Sequence, residues 1–115
     1  ICFNVCRLAK RIEAKAIITM THSGYTAYKI SSQRPKSEIF VFSGNKKLLS
    51  TLSLVWGVST FYYNKKISTD HTIADIKHLL KEGKRVESGD LIINTASIPI
   101  GESGKTNMLK LSYID

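Results

Sequence analysis

Residues 16–27 read Ala16-Ile17-Ile18-Thr19-Met20-Thr21-His22-Ser23-Gly24-Tyr25-Thr26-Ala27. The first half, through Thr21, is a short uncharged run rich in β-branched residues, the composition of a parallel strand buried on both faces. His22-Ser23-Gly24 breaks it. A helical pattern then runs from Tyr25 to Ser32 and must end near Arg34, because Pro35 disfavours helical backbone before it. A strand feeding a helix through a Gly-containing turn is the unit from which parallel sheets are built.

The same grammar extends in both directions. Upstream, Cys2, Val5, Cys6, Ala9 and Ile12 recur at helical spacing between Arg7, Lys10 and Arg11. Downstream, Ile39–Phe42 is a second strand, and Ser43-Gly44-Asn45 turns into a helix carrying Leu48, Leu49, Leu52 and Val55. Val58–Tyr63 is a third strand. Thr69 has the chemistry of a helix cap, and Ile73, Ile76, Leu79 and Leu80 mark an apolar face through Lys81. After a turn at Ser88-Gly89-Asp90, Leu91–Thr95 is a fourth strand. A loop from Ala96 to Thr106 leads to a last strand, Met108–Ile114, in which Leu109, Leu111 and Tyr113 face one way and Lys110 and Ser112 the other. The order predicts an α/β fold: a mainly parallel sheet, covered by helices on both faces, with strand five antiparallel at an edge because its connection is too short for a crossover.

With 115 residues the chain is expected to form one domain spanning residues 1–115. It starts at Ile1 rather than Met, which suggests a piece of a longer protein. Hydrophobic residues at 43% and charged residues at 23% exclude intrinsic disorder. No apolar run approaches the ~20 residues of a bilayer span, so no membrane partner is expected.

The formal charge of +8 permits anionic partners. The basic residues are dispersed singly or in pairs such as Lys10-Arg11, Lys46-Lys47, Lys65-Lys66 and Lys84-Arg85, with no nucleic-acid-binding signature, so nucleic acid is not expected. Two cysteines four residues apart make no disulfide framework, which suits a cytoplasmic location, and both are expected to act as small buried hydrophobes. His22, His71 and His78 lack metal-ligand spacing, and neither a catalytic set nor a metal site is expected within these residues.

Ligand chemistry concentrates at Thr21, His22, Ser23, Gly24, Tyr25 and Thr26. Gly24 allows close backbone approach, the following helix offers unpaired N–H groups, and Thr21, Ser23 and Thr26 add hydroxyls, together a cup for a phosphate. The same residue types also serve as an ordinary helix cap. The cup has neither the Gly-Lys-Ser/Thr of a nucleotide-binding P-loop nor the glycine triplet of a dinucleotide fingerprint.

Taken in order, Ala14–Ala27, Arg34-Pro35, Trp56-Gly57-Val58, Gly89-Asp90 and the loop ending Gly104-Lys105-Thr106-Asn107 resemble the C-terminal domain of pyruvate kinase over essentially the whole chain. The resemblance implies a three-layer α/β/α domain with five strands in the order 3-2-1-4-5, the fifth antiparallel. It also implies that the cup and the loop carrying Pro99, Gly104, Lys105 and Thr106 enclose an allosteric sugar phosphate, commonly fructose 1,6-bisphosphate.

Thr21, Ser23, Gly24 and Thr26 match the family's phosphate-holding loop. At the second phosphate, Thr72 stands where several relatives carry Arg, and Lys105 is the candidate replacement cation. The family's chemistry, phosphoryl transfer from phosphoenolpyruvate to ADP with Mg²⁺ and K⁺, resides in a separate (β/α)₈ barrel, so no cofactor is expected in this domain. The implied partners are that catalytic domain and further copies in a tetramer, to which the edge strand Met108–Ile114 is a plausible contributor. Two alternatives remain open at this point: a purely structural interface domain, and a stand-alone phosphate-ligand sensor of the same fold.

Overall fold

The computed structural model describes residues 2–20, 25–63, 69–96 and 108–114. The elements are α1 (Cys2–Ile12), β1 (Ala16–Met20), α2 (Tyr25–Ser32), β2 (Glu38–Ser43), α3 (Lys46–Leu52), β3 (Val58–Tyr62), α4 (Thr69–Glu82), β4 (Leu91–Ala96) and β5 (Met108–Tyr113). The strands form one sheet in the order β3-β2-β1-β4-β5. Four strands run parallel, and β5 lies antiparallel to β4, with Leu91 opposite Tyr113 and Ala96 opposite Met108.

Alternation along the strands divides the core into two layers. Ile17, Ile39, Val41 and Ile93 point to one face and pack with Val5 and Ala9 of α1, Ala27 and Ile30 of α2 and Leu52 of α3. Ala16, Ile18, Phe40, Phe42 and Ile92 point to the other, against Ile76 and Leu80 of α4. Handedness produces this segregation. The chain steps from β1 to β3 in one direction with right-handed crossovers, then reverses to reach β4, which carries α4 to the opposite side.

Individual residues depart from the sequence reading. Leu79 is not on the apolar face of α4: it is 47% exposed, while Ile73, Ile76 and Leu80 are buried. At about 100° per residue, Leu79 lies well off the line through those three. Cys6 is half-buried rather than buried, packed at the border of the first core layer. Val55 falls beyond the end of α3 yet still packs against that layer.

The glycines of two motifs have a conformational reason. Gly57 and Gly89 adopt φ of +70° and +91° in the turns that launch β3 and β4, a region that L side chains rarely enter. By contrast, α4 ends on a non-glycine left-handed residue. Lys84 has φ +58°, and the Arg85 amide donates to the Leu80 carbonyl at 2.9 Å, the closing bond of a Schellman cap. Lys84→Gly relieves that strain and is expected to stabilise the chain by about 0.5–1 kcal/mol, read as a raised urea midpoint at constant m.

Candidate site at the β1–β4 switch point

β1 lies between β2 and β4, and the crossovers from β1 and to β4 leave on opposite faces. Open α/β sheets hold their ligands beyond the carboxyl ends of such neighbours. Thr19 stands opposite Thr95 in the parallel register, one residue before each strand ends. The segments that follow Met20 and Ala96 therefore depart from adjacent strand ends, and α2 starts at Tyr25.

The ends of β1 and β4 carry polar side chains that are nonetheless fully buried. Thr95 Oγ1 lies 3.2 Å from the Ile18 carbonyl and 3.2 Å from Thr19 Oγ1. One hydroxyl hydrogen serves only one acceptor, so the Thr95 hydroxyl donates to the carbonyl while the Thr19 hydroxyl can donate to Thr95. Both side chains have no exposed surface. The pair ties the ends of β1 and β4 together by side chains as well as by the ladder.

Asn94, equally buried, faces the α4 side. Its Nδ2 donates to the Lys110 carbonyl and to Ser112 Oγ, each at 3.2 Å, and its Oδ1 has no partner. These three residues escaped the sequence reading. The available signal was their position in a strand buried on both faces, where a polar side chain costs free energy unless it is paired.

Of the residues expected to form the cup, Thr21, His22, Ser23 and Gly24 lie outside the described residues. Tyr25 opens α2, and Thr26, in its first turn, is 6% exposed. Pro99, Gly104, Lys105 and Thr106 also lie outside them. Thr72 falls near the start of α4. Among the described residues no group of three or more His, Cys, Asp or Glu side chains is placed to hold a metal ion, and no helix is long and apolar enough to cross a membrane. His78 instead pairs with Glu82 one turn along α4, at 3.0 Å on the exposed surface.

A three-layer α/β domain with a reversed last crossover that sets β1 beside β4 is the class defined by these features. Residues 1–112 match the family model described as pyruvate kinase, alpha/beta domain, and the chain belongs to that family. It is 39% identical over 111 residues to the pyruvate kinase of Lactobacillus delbrueckii subsp. bulgaricus and 38% identical to that of Staphylococcus saprophyticus. Each match takes in 96% of this chain and 19% of the relative, so the chain spans about a fifth of the length of these proteins. Among solved structures, Cryptosporidium parvum pyruvate kinase in complex with ADP superposes with a TM-score of 0.88 at 27% identity, covering 100% of this chain and 23% of that one.

Proposed function

We propose that this chain is the C-terminal regulatory and assembly domain of a pyruvate kinase, the enzyme that transfers phosphate from phosphoenolpyruvate to ADP to give pyruvate and ATP. In this reading it binds an anionic sugar phosphate at the switch point. The observation that carries it is the parallel pairing of β1 with β4 as far as Thr19 and Thr95, with α2 beginning five residues beyond Met20. A helix start so placed turns its positive dipole end toward an oxyanion, and in this reading Thr21, Ser23 and Thr26 would add hydroxyl contacts.

Catalysis in this account belongs to a barrel elsewhere in the parent chain, which would also hold Mg²⁺ and K⁺. A cytoplasmic setting follows from the glycolytic reaction. Assembly is assigned to β5, whose Leu111 and Tyr113 are 45% and 64% exposed on an edge strand. That exposure also favours the second reading, a domain whose only task is to join subunits in a tetramer.

Titrating the full-length enzyme with fructose 1,6-bisphosphate and with sugar monophosphates separates the two. Activation is expected, with Ser23→Ala and Thr26→Ala each raising the half-activating concentration about tenfold, the worth of one charge-assisted hydrogen bond. Unchanged activation in both variants removes the cup from the account. No activation by any sugar phosphate leaves the purely structural reading.

A further inference from the structure

Two exposed apolar residues stand at the end of the sheet where the strands begin, on the turn between α3 and β3. Leu54 is 89% exposed and Trp56 49%. Arg34, between α2 and β2, joins them: its guanidinium carbon lies 4.7 Å from the centre of the Trp56 ring. Scattered single apolar residues on a surface need no explanation, but a leucine and a tryptophan on one turn, the ring covered by an arginine, do.

The patch is held in advance. The Leu54 amide donates to the Thr51 carbonyl at 3.2 Å and the Val55 amide to the Leu52 carbonyl at 2.9 Å. The buried Ser31 hydroxyl donates to the Trp56 carbonyl at 2.6 Å, and the Ser31 carbonyl accepts from the Arg34 amide at 3.0 Å. One residue of α2 thus anchors both members of the stack. Arg34 holds φ +51°, where glycine would be unstrained, so the position carries its side chain at a cost. A guanidinium over an indole ring still has N–H donors for a carboxylate, and among the described residues no carboxylate pairs with Arg34. Preorganised groups lose little freedom on docking, and tryptophan and arginine are enriched at the centres of interfaces.

What covers the patch follows from the regulatory reading given above, on which this inference rests. A domain that regulates a reaction it does not perform must touch the catalytic portion, because an equilibrium shifts only through contacts that differ between its states. The chain spans 19% of the Lactobacillus relative and 23% of the Cryptosporidium structure, so most of such a protein lies outside it. The proposed effector crevice is at the opposite end of β1 and β4, and β5 is at the sheet edge farthest from β3. Neither uses this patch. We propose that Leu54, Trp56 and Arg34 form the docking contact for the catalytic portion of the parent chain. The two apolar residues enter a pocket there, and Arg34 meets an Asp or Glu at its rim.

Acrylamide quenching of Trp56 in the full-length enzyme, taken as the difference between wild type and Trp56→Phe, tests this. Trp56 is expected to be protected, and Leu54→Asp, which leaves the stack in place, to raise its quenching about threefold as a central contact is lost. Leu79→Asp is the control: Leu79 is 47% exposed on α4, across the sheet, and its replacement is expected to leave the quenching unchanged. Benzoylphenylalanine in place of Leu54, irradiated and mapped by mass spectrometry, identifies the occupant. Adducts within one polypeptide, on a segment outside this domain that carries Asp or Glu, support the proposal. Free quenching of Trp56, no response to Leu54→Asp, or adducts joining two copies overturn it, whether or not sugar phosphates activate the enzyme. A protected Trp56 with adducts inside one polypeptide, in an enzyme that no sugar phosphate activates, keeps the docking contact and removes the regulatory reading.

Discussion

Replacing Phe42 with alanine is expected to remove about 3–5 kcal/mol of unfolding free energy. Phe42 is 1% exposed, stacks on Phe61 at 4.9 Å with an interplanar angle of 14°, and meets the edge of Tyr63 at 6.3 Å. Phe61 in turn meets Phe40 edge-on at 5.9 Å, so truncation opens a cavity beside several rings rather than one contact. The four rings lie in the layer where, among the described helices, α4 packs with Ile76 and Leu80. Among the described elements no second helix packs on that side to settle into the gap. Domains of this size hold about 5–15 kcal/mol in total, so the variant should show a sharply lowered urea midpoint. A loss below about 1 kcal/mol contradicts this view of the second layer.

The other large effect concerns assembly. Leu111 and Tyr113 stand on one face of β5, an edge strand with a free side among the described elements, and they are among the most exposed apolar residues there. Two-fold pairing of such edges would bury both residues in each partner. The Leu111→Lys/Tyr113→Lys variant sets four new charges into that contact per pair and is expected to raise the dissociation constant more than about a hundredfold, since like charges brought together cost several kcal/mol. Sedimentation of the full-length protein reads the result. The exposed positions carry no core packing, so the fold should survive. An undiminished oligomer moves the interface away from this strand.

Much of the architecture was readable from apolar runs. Ile39–Phe42 and Leu91–Ile93 are continuous because parallel strands bury both faces, and α2 was found at its observed bounds because Gly24 and Pro35 flank it. Order within the sheet was different. Strand spacing alone does not say that β4 lies beside β1; that expectation came with the family resemblance, and the observed register supports it. Leu79 is apolar in type yet sits off the buried face by helical angle, so residue type alone misplaces it.

The candidate sites were legible to unequal degrees. Thr21–Thr26 announces itself through a local turn chemistry. Thr19 and Thr95 are 76 residues apart and look like ordinary strand threonines until the register joins them.

Determination of the crystal structure of the full-length protein with fructose 1,6-bisphosphate addresses the regulatory account at its source. The expected complex has one phosphate on the amides and hydroxyls of Ser23–Thr26, directly beyond the Thr19–Thr95 pair, and the sugar reaching toward the loop that follows Ala96. A sugar bound elsewhere, or a side chain filling the space beyond those threonines, would contradict it.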